Sequence, residues 1–200
     1  MKAYVLTYKG SQRWPRARTH LTEHGLDPVE FRGINAPVAG LNVTLPSAFS
    51  TPENQRFIES RHVGCTLGHW NLWRALEHLP DSEFLIVEDD VLFLDGWQDT
   101  YLRARQELPS DWDVLFVGSC NCEDKDKVQV GKYVWEVKWP FCTHAYLVNQ
   151  ASLGKLIRSQ EKLNDQIDQS LWAQTFATGK AKAYTILPRL AIQEGLETHP

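Results

Sequence analysis

Phe84-Leu85-Ile86-Val87-Glu88-Asp89-Asp90-Val91-Leu92-Phe93 is the stretch that decides the fold. Four apolar residues run into three carboxylates, and apolar residues resume at once. A short run of this kind, with Ile and Val in it, reads as a buried strand of a parallel sheet. Glu88, Asp89 and Asp90 then stand at its carboxyl end, where open α/β sheets bind ligands. Three adjacent carboxylates repel one another, so a positive partner is expected. A divalent cation with oxygen ligands is the simplest one, and a diphosphate would complete its coordination. Acidic triplets are more often solvated loop caps. Here Leu-Ile-Val on one side and Val-Leu-Phe on the other pin the triplet to a core.

The 200 residues suit one domain, spanning 1–200, with ample material for a core. A net charge of −4 argues against nucleic acid or an acidic membrane surface as a general partner. The opening Met1–Tyr8 run is too short for a signal peptide, and no run approaches transmembrane length. The sequence therefore reads as cytoplasmic, with peripheral membrane contact left open. Four cysteines do not make a disulfide scaffold, and ordinary buried thiols are expected. Cys120, Cys122, Cys142 and His144 offer a weaker alternative, a zinc site with CxC and CxH spacing.

Taken in order, residues 3–8 read as a strand. Ser11 can cap a helix to about His24, with Arg13, Arg16 and Arg18 in its first turns. Residues 29–34 alternate as a second strand. Residues 35–55 lack periodicity and read as a long loop. Residues 59–78 carry a helical stripe, and Gly64 and Gly68 in it suggest close backbone approach. The 84–93 strand follows, then a helix from Asp95-Gly96 to Leu108 and a strand over 113–118. Residues 128–138 read as a hairpin or edge strand and 145–148 as a strand. Two helices over 150–159 and 165–176 and a last strand over 183–187 complete the order. This succession is an α/β sandwich, mostly parallel in its first half.

Several motifs converge on one family. Gly64-Cys65-Thr66-Leu67-Gly68-His69, followed after about fifteen residues by Phe84–Val91, resembles glycosyltransferase family 25, whose pattern sets a Gly-Cys helix before an apolar strand ending in Glu-Asp-Asp. Val5-Leu6-Thr7 with Arg13, Asp111–Gly118, Thr143–Val148 and Asp165-Gln166-Ile167-Asp168 resemble further segments of that family in the same order. Gly68 stands where the family usually has serine, and Cys142-Thr143 replaces an expected glycine-rich approach.

The resemblance implies a GT-A-like (Rossmann-like) mixed sheet, mostly parallel, flanked by helices. It also implies a nucleotide-sugar donor such as UDP-galactose, Mn²⁺ or Mg²⁺, an inverting transfer, and a glycan, lipooligosaccharide or other hydroxyl-bearing acceptor. On that basis Asp90 and Glu88 are assigned to the metal. Glu88, Asp89, Thr7, Tyr8 and Arg13 are assigned to the donor. A metal on Asp90 would neutralise the departing diphosphate, and one further carboxylate must deprotonate the acceptor hydroxyl. Asp168 is the candidate, with Asp165 in reserve; both could equally cap their helix. His144 is the second catalytic candidate, and it and His69 read alternatively as donor contacts, outer metal groups or packed histidines. Trp135 and Trp139 are open as an acceptor groove. Two rival readings use the same carboxylates: a metal-dependent phosphoryl-transfer or nuclease site drawing on Asp95 and Asp113, and a sugar-binding protein without catalysis.

Overall fold

The computed structural model describes residues 1–35, 39–40, 42, 44–47, 50, 55, 57–120, 127–162 and 165–195. Strand β5 (Glu83–Glu88) lies inside an eight-stranded sheet. Its neighbours are β1 (Lys2–Tyr8), parallel, and β10 (Phe141–Asn149), antiparallel. Beyond β1 lies β2 (Asp27–Gly33). Beyond β10 lie β7 (Val114–Cys120), β11 (Ala183–Ile186), β9 (Val134–Val137) and the edge strand β8 (Val128–Gln129). The pairings leave β10 and β9 running against the other six. The sheet is thus mixed and mostly parallel, as expected.

Strand periodicity builds the core on both faces. Leu85 and Val87 of β5 point into one cluster with Val5, Leu115 and Leu147. Helices α1 (Trp14–Glu23) and α3 (Trp97–Glu107) cover it through Leu21, Trp97 and Ala104. Phe84 and Ile86 point into the other cluster with Tyr4, Phe116 and Tyr146. There α2 (Ser60–Leu76), α4 (Leu153–Ser159) and α5 (Ile167–Leu171) supply Leu72, Trp73, Leu153 and Leu171. Gly68 of α2 allows the approach expected of it: a Cβ there would meet Leu6 Cδ1 of β1 at 3.0 Å. Among the described residues no helix is long and apolar enough to cross a membrane.

The expected single strand over 84–93 is two. It breaks at a turn through Asp89 and Asp90, and β6 (Val91–Phe93) leaves the sheet to pair with β12 (Ala191–Gln193). Aspartates favour turns because their side chains hydrogen-bond locally, while Val91 and Phe93 stay buried on the same core. The loop of 35–55 contributes β3 (Thr44–Pro46), paired with β4 (Phe57–Glu59); much of the remainder lies outside the described residues. The helix over 165–176 shortens to α5 and continues as a π-type turn, Trp172–Phe176. The first helix starts at Trp14 rather than at a Ser11 cap, although Ser11 Oγ does accept the Arg13 N–H at 3.2 Å.

Gly118 of β7 marks where β12 and β10 crowd the sheet. A Cβ there would come within 2.4 Å of His144 Nε2 and 2.6 Å of the Ala191 carbonyl oxygen. Gly118→Ala is therefore expected to destabilise the chain by about 1–3 kcal/mol, the usual cost of overpacking, read as a lower urea midpoint with an unchanged slope.

Candidate functional site

A cleft of about 770 Å³ opens at the carboxyl ends of β1 and β5, beside the first turns of α2. Glu88, Asp89, Asp90, Thr7, Tyr8 and Arg13 all line it. Residues chosen from separate parts of the chain are thereby brought together. The parallel pairing of β1 with β5 does this, setting Leu6 opposite Glu88 so that both strands end at one edge.

The three carboxylates have different fates. Asp89 Oδ2 accepts from Thr7 Oγ1 and Ser11 Oγ, both at 2.6 Å. Thr7, which lines the cleft, thus hydrogen-bonds Asp89, and Asp89 ties the end of β1 and the turn before α1 to the tip of β5. Asp90 Oδ2 accepts from Arg13 at 2.9 Å and from Gln193 Nε2 at 3.0 Å. Asp90 Oδ1 is buried and has no hydrogen-bond partner among the described residues. Burial, then the charge of Glu88, pushes the Asp90 carboxyl up to about 6 from 3.8. A buried carboxylate oxygen without a donor among these residues, under the charge of a second carboxylate, is the environment a hard divalent cation relieves, so the residues present fit the metal expected of them.

Glu88 Oε1 accepts from Thr143 Oγ1 at 2.7 Å and lies 3.2 Å from His69 Nε2. Burial pushes the Glu88 carboxyl up, and the hydrogen bonds from His69 and Thr143 outweigh it, holding it below the usual range. Cys65, one turn before His69 on α2, completes this corner, its thiol pushed up by burial and by the charges of Glu88, Asp168 and Asp90.

A second pocket of about 160 Å³ adjoins the cleft through Glu88, Cys65, His62, Gln166 and Gln193, which line both. Asp168 lies in its wall. Its carboxylate accepts the Cys142 N–H at 3.1 Å and the Gln169 N–H at 2.8 Å. Burial pushes the Asp168 carboxyl up, and these two backbone donors pull it part of the way back. Asp165 lines neither pocket; it is buried, accepting from Ser47 Oγ and the Gln166 N–H.

Other expectations change. His144 is fully buried beside Gly118 and lines neither pocket. Cys120 and Cys142 are a disulfide with Cα atoms 5.5 Å apart, so they are neither free thiols nor zinc ligands; Cys122 lies outside the described residues. Trp135 and Trp139 line neither pocket. Asp113 is taken up by Lys155, Ser152 and the Lys182 N–H, and Asp95 is exposed beside His24. The two acids on which the phosphoryl-transfer reading drew therefore line neither pocket. Reading the sequence missed Ser11, Thr143 and Gln193 as site residues. Gln193 reaches Asp90 from β12, a three-residue strand that gave no pattern to find.

No family model matches the chain. A glycosyltransferase 25 family member of Anopheles gambiae is 22% identical over 167 residues, which are 74% of this chain and 28% of that protein. Procollagen galactosyltransferase 1 of Danio rerio is 24% identical over 140 residues, 66% of this chain and 23% of that protein. The chain is similar to glycosyltransferase family 25. A probable inactive family 25 member 3 of Bos taurus is 26% identical over 141 residues, 68% of this chain and 24% of that protein. The chain thus spans about a quarter of the length of these family 25 relatives. A solved glycosyltransferase involved in glycosylation of the major capsid of PBCV-1 superposes with a TM-score of 0.55 at 10% identity, covering 98% of this chain and 93% of that one. The shared fold is GT-A-like.

The Asp90 shift fixes a pH dependence. Below about 3.8 the carboxyl is protonated in folded and unfolded chains alike. Between 3.8 and about 6 the folded chain keeps a proton that the unfolded one has lost. Above that, ionised Asp90 costs the metal-free fold about 3 kcal/mol at 1.36 kcal/mol per pKa unit. Asp90→Asn removes the titration. Its stability relative to the parent chain is expected to rise by about 2–3 kcal/mol from pH 4 to pH 7, measured by urea unfolding without divalent ions.

Proposed function

We propose that this chain is a metal-dependent glycosyltransferase. It moves a hexose, galactose first among the candidates, from a UDP-sugar to a hydroxyl of a glycan or lipopolysaccharide-type acceptor, with inversion. The observation that carries the reading is the cleft itself. The acidic tip of β5, with one unpartnered carboxylate oxygen, opens on a small pocket holding a second, separately oriented carboxylate.

The chemistry distributes over these groups. Tyr8, 40% exposed at the end of β1, offers a face for the nucleotide base. Arg13, half-exposed at the cleft, is placed to pair with the diphosphate as well as with Asp90. Mn²⁺ or Mg²⁺, held by Asp90 with Glu88 nearby, would supply charge neutralisation for the leaving diphosphate. Asp168 takes the proton of the acceptor hydroxyl. The oxygen then attacks the anomeric carbon as the bond to the diphosphate breaks, and inversion follows from a single displacement. Burial suits Asp168 to this work, because a carboxyl raised above its ordinary value is a stronger base. The two backbone N–H groups fix the carboxylate's orientation.

Relatives of the same similarity include ones named inactive, so binding and transfer must be read separately. UDP with Mn²⁺ is expected to raise the melting temperature by linkage to the folded state, and Asp90→Ala to abolish that rise. Asp168→Asn is expected to keep it while lowering the transfer rate by about 10²–10⁴-fold, the usual share of a general base. Radiolabelled sugar transfer gives the rate, and an unchanged rate in Asp168→Asn refutes the base.

A further inference from the structure

A buried file of polar groups runs from the second core to the cleft. Trp73 Nε1 lies 2.8 Å from Tyr146 Oη, Tyr146 Oη 2.9 Å from His69 Nδ1, and His69 Nε2 3.2 Å from Glu88 Oε1. Trp73, Tyr146 and His69 are each at most 1% exposed. Water does not reach them, so each proton must be matched within the file.

Indole Nε1–H can only donate, so Trp73 donates to the Tyr146 oxygen. An ionised Glu88 can only accept, so the bond between His69 and Glu88 runs from Nε2–H to Oε1. The contact of Tyr146 Oη with His69 Nδ1 ties the far side of the ring to the second core.

The far end of this file shapes the cleft. His69 and Thr143 both donate to Oε1 of Glu88. Oε2 is therefore the oxygen left for a ligand in the cleft that Glu88 lines. We propose that His69, held in place by Tyr146 and Trp73, is a positioning residue that orients Glu88 so that one oxygen meets the donor. The proposal rests on the donor-binding function proposed above. It also accounts for a histidine on the buried face of α2, where an apolar residue would fill the same space.

Calorimetry of the full chain with UDP and Mn²⁺ tests this. His69→Leu should bind about 10–100-fold more weakly, the range for a lost hydrogen bond to a charged group. His69→Gln, whose amide N–H can reach Glu88, should stay within about threefold. Equal loss in both variants, or none in His69→Leu, overturns the positioning role while the unaltered chain still binds. Failure of the unaltered chain to bind overturns that role along with the transferase reading.

Discussion

Ionised carboxylates at the end of a buried strand must find protons, cations or hydrogen-bond donors, and β5 delivers three in succession. The surroundings answer each differently. Glu88 receives His69 and Thr143, Asp89 receives Thr7 and Ser11, and Asp90 receives Arg13 and Gln193 on one oxygen. These donors come from six places in the chain: β1, the turn after it, the start of α1, α2, β10 and β12. Tertiary structure at this edge is in large part the wiring of one acidic tip. The imbalance that remains is Asp90 Oδ1, without a partner among the described residues, and it is where the proposed cation would be held.

That arrangement depends on the sheet being buried on both faces. A strand solvated on one side would let water satisfy its carboxylates, and their pKa values would stay ordinary. Here Leu85 and Val87 are packed on one face, Phe84 and Ile86 on the other, and all four are at most 2% exposed. The hydrophobic packing that forms the fold also makes the charge at its edge expensive, which is what suits it to the cation and diphosphate proposed for it.

What the sequence disclosed follows from this physics. The apolar run and its acidic end were legible because burial and charge both leave a local mark, and the parallel neighbour β1 was legible for the same reason. Arg13, Asp90 and Asp168 were found because charged groups are conspicuous. The break at Asp89 was not, since a strand that leaves one sheet for another keeps its apolar alternation. Thr143, Ser11 and Gln193 were missed because a hydroxyl or amide means nothing until its partner is known. Thr7 was placed at the site, and what the sequence did not disclose is its bond to Asp89, which strand register brings within reach. The fully buried line of α2 runs through Val63, Thr66, His69, Trp73 and Leu76. Polar members of that line disguised it.

The least expected feature is Cys142. Its φ of 65° lies in the left-handed region, where a side chain costs roughly 1–2 kcal/mol relative to glycine. Glycine would adopt this conformation freely, and a glycine-rich approach is what the resemblance leads one to expect at this point of the chain. Cysteine brings something glycine cannot, a covalent tie to Cys120 at the end of the neighbouring strand β7. The same residue's N–H is one of the two donors that orient Asp168. The backbone conformation, the cross-link and the aim of the candidate base therefore meet in one residue. The disulfide thus stands in the wall of this pocket, directly beside the N–H that Asp168 accepts.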